Sequence, residues 1–309
     1  MVETELTGLE GNNPLGFLAA LGVQELFRHS DNPPRLWWTD DAVSCAVVDA
    51  EVDRIVEQAH TVLPRWSGHR SLSPAIEKSA DSSAKFASAN VRRYLQVTQD
   101  GQPGSSLATA LVAEGSLDNN KKAKPSDLYF TAGKQRFLNM ARKILRNASP
   151  SEIREGLTSP WPYNSQLPSL MWDVVDDRIY ALAAFDPAGQ KKLSNPGPEA
   201  LAILGLSRHP VFADKYRTSR GGMQGRTLTQ GCSGSWKSGH YAWPLWSRPA
   251  GRRTVQSILA HAMGTTVEVL RVREMWYRSW SITRVMKSAI RRSDQGGYGT
   301  FGPPEMIWP

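Results

Sequence analysis

Apolar positions crowd together early in the chain, at Leu15, Phe17, Leu18, Leu21, Leu26 and Phe27. Wound as a helix they cover most of the circumference, which predicts a helix buried on every side. Asn13 followed by Pro14 gives it a start, a capping side chain and then a proline at the first helical position. After Asp49, the residues Val52, Ile55, Val56, Ala59 and Leu63 mark one face of a second helix. Residues 99–127 are polar, with glycine and serine early and Lys121-Lys122-Ala123-Lys124-Pro125 late, and predict a long loop. A basic helix is expected over 132–147. Phe137, Leu138, Ala141, Ile144 and Leu145 form its apolar stripe, and Lys134, Arg142, Lys143 and Arg146 its other face.

The segment 148–168 is rich in proline and serine and is the predicted boundary between two lobes, 1–150 and 151–309. Beyond it, 178–185 alternates as a strand does, and Pro196 and Pro198 precede a short helix from Glu199 to Leu206. Thr254 is the expected cap of a helix carrying Val255, Ile258, Leu259, Ala262 and Met263. Residues 266–273 suit a strand, and 274–292 fit helix and strand equally. Interleaved helices and strands make the expected class α+β, with no topology assigned.

With 309 residues, 40% of them hydrophobic, the chain can bury a substantial core. No apolar run approaches the roughly 18 residues that a bilayer span requires. The acidic opening Met1-Val2-Glu3-Thr4-Glu5 lacks the features of a secretory signal. Two cysteines, Cys45 and Cys232, form neither a disulfide framework nor a zinc motif, so a cytoplasmic location is expected.

Charge changes the picture more. Residues 1–60 hold eleven acidic residues against Arg28, Arg35 and Arg54, whereas 208–253 hold nine lysines and arginines against Asp214 alone. Segregated positive charge attracts a polyanion, although the same charges can serve solubility alone.

Within the basic half, residues 216–240 hold six glycines and the cations Arg217, Arg220, Arg226 and Lys237, with no acid. Glycines allow close backbone approach and the cations suit phosphates. Gln224 and Gln230 are candidate readers of base edges, and Trp236 a candidate for stacking on a base. A surface loop without ligand is the plain alternative. It is not a phosphate-binding P-loop, because Trp236 stands where the second glycine should be. Gly-Tyr-Gly at 297–299 follows two arginines, but a terminal strand packing Tyr298 and Phe301 explains it better. The paired tryptophans Trp37-Trp38, Trp243-Trp246 and Trp276-Trp280 are expected to be structural.

Catalytic signals are weak. The six histidines show no zinc-ligand spacing. Asp173, Asp176 and Asp177 lie within five residues and suit either a divalent cation or a solvated turn. Cys232 and His240 are near in sequence only. Neither a catalytic residue, a metal site nor a cofactor is expected.

The opening Leu6-Thr7-Gly8-Leu9-Glu10-Gly11-Asn12-Asn13-Pro14-Leu15-Gly16-Phe17-Leu18-Ala19-Ala20-Leu21-Gly22 resembles the large-subunit family of type I CRISPR effector complexes, the I-G (formerly I-U) branch of Cascade. Arg178-Ile179-Tyr180-Ala181-Leu182, Asp186-Pro187, Pro196-Gly197-Pro198-Glu199-Ala200-Leu201-Ala202, Leu204-Gly205-Leu206 and Trp243-Pro244-Leu245-Trp246 continue the likeness in order. The resemblance implies a non-catalytic subunit that reads a protospacer-adjacent motif on double-stranded target DNA and helps to open it, while guide RNA reads the target. It implies as partners the other effector-complex subunits and a recruited helicase-nuclease. The chain is shorter than many large subunits, so a separate small subunit or an accessory role stays open. No motif-reading residue carries over. Rival expectations are a metal-dependent nuclease using the three aspartates, a guide-processing ribonuclease using a histidine such as His240, and an assembly scaffold.

Overall fold

A computed structural model describes residues 2–76, 83–118, 120–131, 135–174, 193–217, 223–236, 238–261, 274–292 and 298–308. Its centre is a pair of helices far apart in sequence, α1 (Pro14–Leu26) and α7 (Pro196–Leu206), in which every residue is buried. Asn13 caps α1 as expected, its side chain accepting from the Leu15 amide, with Pro14 in the first turn. The helices approach until their backbones touch. A Cβ built at Gly22 would lie 1.9 Å from the Leu201 carbonyl oxygen, and one at Gly205 would lie 1.9 Å from that of Leu18. Only glycine fits at either crossing point. Gly22 and Gly205 are packing residues.

Around this pair lie α2 (Val52–Gly68), α3 (Ser88–Thr98), α4 (Ser105–Leu111), α5 (Phe137–Asn147) and α6 (Pro150–Thr158). A three-stranded antiparallel sheet, in the order β1 (Thr4–Glu10), β3 (Cys45–Val48), β2 (Leu36–Trp38), joins them. A second antiparallel sheet has the path β10 (Glu305–Trp308), β8 (Ile282–Arg292), β7 (Gly239–Trp246), β6 (Cys232–Gly234), with β9 (Gly299–Phe301) also on β8. The strands β4 (Val211–Arg217) and β5 (Met223–Thr229) form a separate hairpin. Helices α8 (Arg252–His261) and α9 (Glu274–Ser279) complete the described elements. The fold is mixed α+β.

Tryptophans join the second sheet to the central helices. Trp243 donates its indole N–H to the Gly11 carbonyl and Trp246 to that of Leu36, each at 2.7 Å. Phe17 of α1 stacks on Trp38, with ring centres 5.6 Å apart. One hydrophobic cluster runs from Leu6 to Phe301 and crosses residue 150, the expected lobe boundary. A buried carboxylate ties the far end of α1 to the second half of the chain: Glu25 takes bonds from Arg28, Arg208 and Arg252.

Several expectations need correction. The loop predicted over 99–127 contains α4, which forms because Leu107, Ala108, Ala110 and Leu111 are buried. The Pro/Ser-rich segment opens with α6, started by Pro150 and a reciprocal capping box between Ser149 and Glu152. Residue 252, not Thr254, opens α8, and α7 starts at Pro196 rather than Glu199. The basic helix begins at Phe137, and 132–134 lie outside the described residues. Segment 274–292 is a helix and then a strand. The strands expected over 178–185 and 266–273 lie outside the described residues. Phe301 is buried as expected, whereas Tyr298 is exposed. Among the described residues no helix is long and apolar enough to cross a membrane.

Candidate nucleic-acid interface

The glycine-rich stretch 216–240 is mostly strand. Its first part belongs to the β4–β5 hairpin, where Asp214 pairs with Arg226, Tyr216 with Gln224 and Arg217 with Met223. Successive residues of a strand face opposite ways, and directly paired residues share a face. Arg217 and Arg226 therefore take register positions on opposite faces of the ribbon. Arg220 lies outside the described residues. Thr227 and Thr229 hold the hairpin to segment 115–127: Thr227 donates to the Lys124 carbonyl (3.0 Å), and the Asp127 amide donates to Thr229 Oγ1 (2.7 Å).

The second part is the β6–β7 turn, and it presents Trp236. Gly234 has φ +88, where a side chain would be strained, and a Cβ there would lie 2.4 Å from the Ser238 carbonyl oxygen. The Ser238 amide donates to Ser235 Oγ (3.2 Å) and closes the turn. Trp236 at its tip is 52% exposed, against the burial of Trp38, Trp243 and Trp246. One ring face is covered by the Arg292 guanidinium, whose carbon lies 3.7 Å from the ring centre. That guanidinium also lies 5.5 Å from the Phe130 ring and donates to the carbonyls of Asp127 (2.6 Å) and Tyr129 (3.2 Å). Burial lowers its pKa to about 10, so it stays charged at neutral pH. A cation held on one face of an indole fixes the ring by electrostatic attraction and packing.

Trp236 forms one wall of a cleft of about 460 Å3, shared with Lys85, Lys124, Asp118, Asp127 and Thr227. Isolated β-bridges from Ala87 to Lys122 and from Leu117 to Ala123 align the lysine-bearing segment. Lys124 Nζ donates to the Gly225 carbonyl (3.1 Å). The Lys85 ammonium lies 5.7 Å from the Tyr129 ring centre. Its pKa is lowered first by burial and further by Arg136, Arg292 and Lys122, with Asp118 opposing. Both carboxylates of the cleft have backbone donors. Asp118 accepts from the amides of Asn120 and Lys122, and Asp127 from that of Thr229. The cleft thus combines an exposed aromatic ring, backed by the Arg292 guanidinium, with two lysines and two aspartates, a setting for an aromatic ligand that carries an anionic group.

The other expected residues are dispersed. Gln230 is buried rather than presented to a ligand, its backbone N–H donating to the Pro210 carbonyl and its backbone carbonyl accepting from His209 Nδ1. Lys237 and Lys134 lie outside the described residues. Lys143 and Arg146 are exposed on α5. Arg142, half-buried, donates to Ser73 Oγ (3.1 Å) and Asn139 Oδ1 (3.2 Å). Helix α5 packs on α2 and α7, whereas the hairpin packs on α4 and segment 115–127, so the two basic sets occupy separate supports.

Asp173 is buried, its carboxylate accepting from Asn13 Nδ2 (3.0 Å) and the Tyr163 hydroxyl (2.6 Å). It is a structural hub that fixes the cap of α1, and Asp176 and Asp177 lie outside the described residues. Cys232 pairs in register with Tyr241 and Ser233 with His240, which sets Cys232 and His240 on opposite faces. Burial raises the Cys232 pKa, which disfavours the reactive thiolate. Lys85, Lys124 and Arg292 were absent from the sequence-based candidates. The lysine run at 121–124 and the Arg291-Arg292 pair were the available signals, but nothing in sequence brings them beside Trp236. Compared with known proteins, the chain matches no family model and no curated sequence.

Proposed function

We propose that this chain is a non-catalytic nucleic-acid-binding subunit of a cytoplasmic type I CRISPR surveillance complex, which recognises the protospacer-adjacent motif on target duplex and helps to open it. The observation that carries the nucleic-acid reading is the lysine-bordered cleft walled by the Arg292-backed indole of Trp236. The segregation of positive charge into residues 208–253 supports it. The ordered resemblance in the first and seventh helices supports the assignment to the effector complex. In this reading the β4–β5 hairpin meets the duplex with Gln224 and Arg226 on one face of the ribbon and Arg217 on the other, Arg220 is a further phosphate contact, and Lys143 and Arg146 of α5 hold a DNA or guide-RNA backbone.

The test is a gel shift with the co-expressed complex and duplexes that differ only in the bases flanking the target. Binding should depend on those bases and weaken steeply with salt, by a log–log slope of about −0.9 for each phosphate neutralised. The Arg220→Ala/Arg226→Ala variant should bind more weakly while its folding is unchanged. Full affinity in that variant removes the hairpin from the interface, and indifference to flanking sequence removes motif recognition.

A further inference from the structure

The two faces of Trp236 are not equivalent. One is occupied by Arg292, and that guanidinium is fixed by two backbone carbonyls and lies 5.5 Å from the Phe130 ring centre. The ring therefore cannot turn over without breaking a buried arrangement, and its second face stays open beside the cleft. An aromatic ring held this way is a platform on which a planar group can stack. At about 460 Å3 the cleft falls in the ~300–1,000 Å3 range of ligand clefts. That space suits a base with its sugar and phosphate, and it excludes a double helix, whose bases are covered above and below by their neighbours.

The polar wall adds charge selection. Lys85 and Lys124 line the cleft, and Arg136, Arg292 and Lys122 lie close enough to disfavour the charge on Lys85. Asp118 opposes them, and an anion seated at the ammonium groups would oppose them further. Asp118 and Asp127 equal the two lysines in number and are held in place by the backbone amides of Asn120, Lys122 and Thr229, and the lysines supply the cleft's ammonium donors. An uncharged aromatic ligand would make no charge-assisted bond to the lysines, and a bare phosphate would leave the indole face unused.

We propose that this cleft holds one unpaired nucleotide of a nucleic-acid strand, with its base on the open face of Trp236 and its phosphate at Lys85 and Lys124. The inference rests on the nucleic-acid-binding reading above and deepens it. The protein holds duplex elsewhere and captures here a nucleotide that has left its pair.

The experiment uses the full chain and fluorescence anisotropy with three probes: a labelled (dT)12 strand, a blunt duplex of mixed sequence, and free dTMP as competitor. Trp236→Ala should weaken (dT)12 binding about 5- to 150-fold, the value of one base–aromatic stack. Duplex affinity should change by less than about twofold, and Trp236→Phe should recover most of the loss. Lys85→Gln should lower the salt slope for (dT)12 by about one. Wild-type and Trp236→Ala proteins binding (dT)12 equally, or losing duplex and single strand by the same factor, would overturn the proposal while leaving nucleic-acid binding intact. A wild-type chain that binds neither strand nor duplex overturns both readings. Displacement of (dT)12 by dTMP at equal nucleotide concentration overturns the strand assignment in favour of a free nucleotide.

Discussion

Replacing Glu25 by glutamine should be among the most destabilising single changes in the chain. Its carboxylate is fully buried and faces three guanidinium groups, with Arg28 at 2.8 Å, Arg252 at 3.0 Å and Arg208 at 3.4 Å. The side chains of Arg28 and Arg252 are 29% and 30% exposed, so water screens much of their charge once the carboxylate is gone. Arg208 has no such outlet: its side chain is 2% exposed, and burial already lowers its pKa to about 10 despite the attraction of Glu25. Breaking a buried pair strands the remaining charge, at about 3–5 kcal/mol. Domains are commonly stable by only ~5–15 kcal/mol, so this is a large share. With a urea m-value of about 3 kcal/mol/M, the midpoint should fall by about 1–2 M. Urea denaturation followed by far-UV circular dichroism measures it. The double variant Glu25→Gln/Arg208→Met, which removes the stranded cation, should regain much of the loss. A midpoint for Glu25→Gln within about 0.3 M of wild type refutes the reasoning, because Arg208 would then be solvated by some other route.

Other outcomes follow from neighbouring features. His209 is buried as the neutral ring, donating from Nδ1 to the Gln230 carbonyl and accepting from the Tyr241 hydroxyl at Nε2, and burial lowers its pKa to about 4. The unfolded chain takes up the proton first, so stability should fall as pH drops from about 6.5 towards 4, by roughly 3 kcal/mol at most. Melting curves of wild type and His209→Phe across that window should differ in slope, and parallel curves would contradict the assignment. Gly22→Ala should cost at least ~3 kcal/mol, because its Cβ meets backbone at 1.9 Å; a melting temperature equal to wild type would show that the helices are not in contact there. Asp173→Ala leaves Asn13 Nδ2 and the Tyr163 hydroxyl without their acceptor, and about 2–4 kcal/mol should be lost with nucleic-acid affinity unchanged. A magnesium-dependent nuclease activity that disappears in that variant would instead overturn the non-catalytic reading.

What the sequence made legible was what depends on near neighbours. The cap and buried circumference of α1, the stripe of α2 and the apolar face of α5 all rest on spacings within one helix, and each is present. Helix α6 was legible too, since Ser149-Pro150 with Glu152 spells its start, but the weight given to proline and serine hid it. Strands β4 to β7 were not legible because glycines that look like loop punctuation serve at hairpin turns and close backbone crossings. The candidate site was legible only in Trp236. Its partners are Arg292, 56 positions on in β8, and lysines at 85 and 124, and no local pattern encodes which cation a folded sheet will slide beneath an indole.

The central helix pair has a consequence for the newborn chain. Helix α1 is buried on every side and mostly apolar, and the partner that covers it, α7, leaves the ribosome about 170 residues later. At ordinary synthesis rates of ~5–20 residues per second, that sticky segment waits on the order of 10–30 s. Fragments released before residue 206 should therefore aggregate or recruit chaperones, and the full chain should fold slowly, as long-range closures do.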